Sequence, residues 1–233
     1  MALAHSLGAY QLPDREYANG AFEFARDKLY LEIGPVDGVE ETLRRGTGMC
    51  FQLISVFIAL CRAAGIKARY KVFSSTMLPA WRELTMDVDP LVKQWHDSMG
   101  YLMAEGESEA LIDGRWVVAH VGPTAEEQAS AGIPVTRFGE DAIGVWFSAP
   151  AASIRILESL PAGLGPGSRI LNRIAPGSME RVSVGVQNQG RIGRRIVEEA
   201  GGVAAYDAMA RARRGADLPK LRLGEMKEIV FRE

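Results

Sequence analysis

At 233 residues the chain is long enough for one ample domain, which on folding would bury roughly 70–75% of its unfolded surface without needing a disulfide or a metal. Apolar residues make up 47% and charged residues 24%, with 27 Lys and Arg against 29 Asp and Glu, the balance of an ordinary soluble protein. Charge therefore points to no nucleic-acid or membrane partner, and a small-molecule or peptide substrate is expected, with the oligomeric state left open.

The opening MALAHSLGAY has neither a basic n-region nor an apolar core, so a cytoplasmic location is expected and His5 is given no role in a terminus read as frayed. Residues 15–33 carry a helical apolar pattern through Tyr17, Phe22, Phe24, Ala25 and Leu29. A short amphipathic turn follows over Val39–Arg45.

The stretch GTGMCFQLISVFIALCRAAGIKAR, Gly46 to Arg69, predicts a buried helix that starts near Met49 and stops at Gly65, a glycine where a left-handed terminating residue is wanted. It is too short and too interrupted to span a bilayer. The two cysteines, Cys50 and Cys61, would sit roughly 16 Å apart along the helix axis, too far for a disulfide. Cys61 reads as core. Cys50, at the helix start, would meet unpaired N–H groups that favour thiolate and could bind an oxyanion. The same position also suits a merely buried small residue.

IKARYKVFSS alternates as a strand. Residues 76–100 then form a long connection, expected to border Cys50 as a lid and to bring Trp81, Trp95 and His96 toward a substrate. His96 is a second candidate base. In EGESEALIDGRWVVAH the Asp113-Gly114 pair predicts a two-residue hairpin turn. Facing residues then have numbers summing to 227. Glu105, Glu107, Glu109, Trp116 and His120 share one face, with Glu107 opposite His120 and Glu105 on the diagonal. Such a row can be a solvated face, a set of oxygen and nitrogen ligands for a divalent ion, or an acid–base cluster. The metal reading is the weakest, because no second His stands at ligand spacing, and no metal or cofactor is expected.

Thr124 and Glu127 have capping-box spacing and open a short helix. AIGVWFSAP reads as a further strand and PAGLGPGS as a linker. A helical stretch over Ile192–Arg214 is broken at Gly201-Gly202. Its basic residues Arg191, Arg194, Arg195, Arg211, Arg213 and Arg214 alternate with Glu198, Glu199 and Asp207, so the segment reads as a solvated face.

RRGTGMCFQLISVFIALCRAAGIKARY followed by EALIDGRWVVAHVGPT resembles the core of the transglutaminase-like superfamily over about residues 18–150. The resemblance implies an α+β fold of transglutaminase-like or papain-like type, the nucleophile helix packed on a mainly antiparallel sheet. Residues 1–150 would form the catalytic core and 151–233 a partly helical extension. The family nucleophile falls on Cys50, but the family His and Asp positions carry Glu105 and His120. This implies cysteine-dependent acyl transfer or amide hydrolysis with an atypical Cys50, Glu105, His120 set, Glu107 nearby and Trp116 beside the substrate. A Glu-base isomerase, cyclase or ring-opening lyase, and an inactive binding module, are the alternatives.

Overall fold

The computed structural model describes residues 1–217 apart from 35, 78, 100–101, 142–146 and 149–150. In chain order the elements are α1 (Ala2–Ser6), α2 (Asp14–Asp27), β1 (Tyr30–Leu31), α3 (Val39–Arg45), β2 (Thr47–Gly48), α4 (Cys50–Ala63), β3 (Ala68–Met77), α5 (Pro79–Thr85) and α6 (Pro90–Met99). The chain continues through β4 (Leu102–Ile112), β5 (Arg115–Ala119), α7 (Ala125–Ser130), β6 (Phe147–Ser148), a 3-10 turn (Ala151–Ser153), β7 (Arg155–Leu157), α8 (Leu164–Ile174), α9 (Pro176–Glu199) and α10 (Val203–Asp217). The architecture is α+β, with helices packed against an antiparallel sheet.

α4 is apolar almost all round, which marks a helix enclosed by other elements. Leu53, Ile54, Val56, Phe57, Ile58 and Cys61 are all buried. Its start is fixed by the Gln52 side chain, which accepts from the Met49 N–H at 2.9 Å, and it ends just before Gly65 at φ +82°. Two tyrosines cap its last carbonyls: Tyr17 donates to Leu60 at 2.8 Å and Tyr10 to Ala63 at 2.7 Å. The N-terminus, expected to fray, is thus docked, with Ala4 and Ala9 buried in the core.

The main sheet runs β5-β4-β3-β6, with β7 also on β3, and all its pairs are antiparallel. Asp113 and Gly114 both have positive φ, +51° and +74°, the geometry of a type I′ turn whose twist suits a hairpin. The register follows as expected, with Ile112 opposite Arg115 and Ser108 opposite Ala119. On β3, Lys71 faces Glu107 and Phe73 faces Glu105. Gly106 stands so close to α4 that a Cβ would lie 2.9 Å from the Phe51 ring.

Residues 76–100 are not a structureless connection. β3 extends to Met77, and α5 and α6 follow; Asp89 accepts from the Val92 N–H at 2.8 Å and binds Arg181 of α9 at 2.6 Å. The segment read as a linker is mostly the start of α8, because Pro166 sits in the first turn where a missing N–H costs nothing. α9 delivers Val182 and Val186 to the main core, and Gly201 and Gly202, both at positive φ, separate it from α10 where the break was expected. Arg211 is not a solvated residue: it binds Asp207 at 2.9 Å and Glu140 at 2.8 Å. Of the strand expected over 142–150, Phe147–Ser148 is seen and the remainder lies outside the described residues.

Candidate active site

Cys50 is the first residue of α4 and keeps an intermediate exposure. Its thiol is paired with the carboxylate of Glu105 on β4, which interacts with it through charge and polar contact. Gly106, next to Glu105, backs onto Phe51, next to Cys50, so the missing side chain at Gly106 lets strand and helix approach closely here.

The electrostatics reverse the sequence expectation for the thiol. Burial pushes it well above the ordinary cysteine value, and the charge and hydrogen bond of Glu105 push further the same way. The backbone N–H groups of Phe51 and Cys50 oppose this but lose. The helix terminus therefore does not make a resting thiolate. Glu105 is itself lifted to about 7 by burial, against the opposing bonds from the Gly106 N–H and the Cys50 thiol; the Gly106 bond is 3.1 Å long. A neutral thiol thus faces a carboxyl group poised at neutral pH.

Glu107 and His120 belong to the adjoining cluster. Glu107 is fully buried and pairs with the Lys71 ammonium at 3.0 Å, while Lys71 also binds Asp141 at 2.8 Å. Burial would discharge Lys71, but the two carboxylates outweigh it and raise its pKa. His120 is buried one step beyond the last β4–β5 ladder pair. Burial depresses its pKa to about 4, with Asp141 opposing and Lys71 reinforcing the shift. The structure therefore brings Cys50 to Glu105, and sets His120 beside Lys71 and Asp141.

Among the described residues no group of three His, Cys, Asp or Glu side chains could hold a metal ion, and Glu107 is committed to Lys71 instead. Lys71 and Asp141 were missed in the sequence; alternation placed Lys71 on a strand, but nothing in it disclosed the partner strand.

The outlying candidates stand apart from this cluster. His96 is buried, and its neighbouring charges are Asp87, Arg82 and Asp97. Trp95 is 51% exposed and stacks on His96. The Trp81 side chain lies outside the described residues. Trp116 faces Leu111, six residues or about 20 Å along the strand from Glu105, and carries the Arg69 guanidinium 3.7 Å above its ring. Cys61 is core, its thiol raised to about 12 by burial. No described helix is long and apolar enough to cross a membrane.

A family model described as the transglutaminase-like superfamily matches residues 2–119. No curated protein matches the chain. Among solved structures, the chain is similar to a "putative protease" from Parabacteroides distasonis ATCC 8503, at 14% identity and a TM-score of 0.36, over 56% of this chain and 24% of that one. The chain thus spans about a quarter of that protein's length.

Proposed function

Because the chain belongs to the transglutaminase-like superfamily, we propose that it is a cysteine-dependent acyltransferase or amide hydrolase in which Glu105 takes the thiol proton of Cys50. The observation that carries this reading is the pairing of the Cys50 thiol with a buried carboxyl group held at about 7. A general base works best when its pKa lies near the working pH.

The chemistry runs through a neutral pair. As the Cys50 sulfur attacks the carbonyl carbon of an amide or ester, its proton passes to Glu105. The tetrahedral oxyanion forms beside the helix-start N–H groups, which are suited to stabilise it. The carbon–nitrogen or carbon–oxygen bond breaks, the leaving group takes the proton from Glu105, and a thioester remains on Cys50. Water or an acceptor amine then gives a proton to the Glu105 carboxylate as it attacks, and the thiolate leaves and is reprotonated by Glu105. No resting thiolate is required, in keeping with the raised thiol.

Incubation with p-nitrophenyl acetate followed by acid quench and peptide mass mapping tests the covalent step. Acetyl on the peptide containing Cys50, absent in Cys50→Ala, is the expected result. Acetyl elsewhere, or none while turnover persists, would remove Cys50 as the nucleophile. The second reading, in which Glu105 abstracts a proton from carbon and the thiol only supports it, is favoured by the high thiol pKa. It predicts that Cys50→Ser retains turnover.

A further inference from the structure

Two positions along β4 from Glu105, on the same strand face and about 7 Å away, the cluster of Lys71, Glu107, Asp141 and His120 contains an imbalance. Glu107 is enclosed and lies directly across the ladder from Lys71, so this one carboxylate already neutralises the ammonium. Asp141 adds a second negative charge on the same Nζ at 2.8 Å, yet its side chain is 46% exposed while that of Lys71 is 9% exposed. An ion pair with one partner half in water contributes little to stability, because solvent competes for the exposed carboxylate. Glu107 is the enclosed partner of Lys71, while Asp141 accepts the ammonium's hydrogen bond at 2.8 Å from a half-exposed position, where another carboxylate can take its place. The buried imidazole of His120 feels the charges of the same two groups.

We infer that Lys71 is the anchor for a carboxylate on the substrate and that Asp141 fills this position in the free protein. The inference rests on the Cys50 and Glu105 reading and deepens it. The substrate class is an acyl compound with a free carboxylate a short reach from the reacting carbonyl, since the strand positions that pair with Cys50 and Lys71 are about 7 Å apart. A peptide or amide with a terminal or side-chain carboxylate has this form. Binding exchanges one carboxylate for another on the Lys71 Nζ, so the charge of the cluster is conserved, and Asp141 returns to water where it already half resides.

The test uses two alkylating probes that differ only in charge, N-iodoacetyl-β-alanine and its neutral methylamide, with Cys50 labelling followed by mass mapping of the full chain at pH 8.5. The expected result is at least a tenfold preference for the anionic probe. Asp141→Asn should widen that ratio by removing the competing carboxylate, and Lys71→Met combined with Glu107→Gln should bring it to about one. A ratio near one in the native chain, or a preference that survives loss of Lys71, would overturn the inference while leaving Cys50 as the nucleophile. If neither probe labels Cys50, the raised thiol is silent toward alkylation and the acyl-enzyme test above decides the nucleophile. The anchor is then decided by calorimetric titration with N-acetyl-β-alanine, whose binding must be lost in the Lys71 variant and strengthened in Asp141→Asn. Absence of heat in the native chain sinks it. Should the double variant fail to fold, Asp141→Asn decides: a half-exposed residue changed to its isostere should keep the fold, and an unchanged ratio refutes the displacement.

Discussion

The thiol of Cys50 is paired with the carboxylate of Glu105, and the two groups act on each other in opposite senses. A carboxylate beside a thiol disfavours thiolate through like charge, while the thiol hydrogen bond slightly favours the carboxylate. Burial acts on both in the same sense and is the larger cause for each.

Alkylation and catalysis should therefore respond to Glu105→Gln in opposite directions. Removing the carboxylate removes the charge that suppresses thiolate, so iodoacetamide should label Cys50 faster in the variant at pH 8 than in the native chain. Turnover should fall about 10²–10⁴-fold because the proton acceptor is gone. Slower labelling in the variant would mean that Glu105 activates the thiol by some other route.

Glu127 gives a stability prediction with a defined sign. Its carboxyl accepts from the Thr124 N–H at 2.7 Å, yet burial still lifts its pKa to about 7. A folded-state pKa above the unfolded one favours the protonated form. The associated stability is thus present below about 4.5 and is lost as pH rises to about 7. The loss is on the order of 2–3 kcal/mol. His120 works against it: its folded value of about 4 means stability is lost as pH falls below the ordinary 6.5. Glu105, lifted to the same range, acts with Glu127, so only a difference reveals each term. Urea titrations of the native chain and Glu127→Gln at pH 4.5 and 7 should show the stability of the native chain relative to the variant declining with pH. A constant difference would refute the shifted carboxyl.

Two glycines of α9 should respond oppositely to the same substitution. A Cβ at Gly193 would stand 1.6 Å from the Glu126 carbonyl oxygen and 2.4 Å from its carbon. Both are backbone atoms, so α7 or α9 must move. Gly190 has no atom within 4 Å of its Cβ position. Gly193→Ala should cost about 1–3 kcal/mol by overpacking, whereas Gly190→Ala should gain about 0.5–1 kcal/mol through helix propensity. Thermal melts decide this, and similar effects at both sites would contradict the close docking of α9 on α7.

Local chemistry made the hairpin legible and hid the other side of the site. Asp113-Gly114 admits one turn type, and that turn fixes every β4–β5 partner, so the shared face of Glu105 and Glu107 could be read by counting. The pairing of β4 with β3 could not, since some 25 residues separate the strands and no turn sets their register. Lys71 opposite Glu107 is a product of tertiary packing. Asp141 lies more distant still. The helices within 76–100 did leave a signal in Asp89-Pro90, an N-cap followed by proline at the first helical position, which the length of the connection obscured. The thiol was misjudged because a helix terminus acts on charge by a modest local field, whereas enclosure and Glu105 act on the same charge more strongly.

The same enclosure separates the two candidate bases. Glu105, paired with the thiol and held at about 7, can accept a proton at neutral pH; His120, depressed to about 4 by burial, is too weak a base to hold one there. Glu105→Gln should thus be more damaging to turnover than His120→Asn, reversing the order a histidine base would give. In the native chain kcat/KM should rise through a limb near pH 7 as Glu105 ionises, and that limb should persist in His120→Asn and vanish in Glu105→Gln. His120→Asn should raise KM for an anionic substrate more than it lowers kcat, since its neighbours Lys71 and Asp141 belong to the inferred carboxylate anchor. Because residues of one catalytic unit are non-additive, Cys50→Ala combined with Glu105→Gln should be little worse than Cys50→Ala. A limb that disappears with His120 instead would transfer the role of base to the imidazole and leave Glu105 as its support.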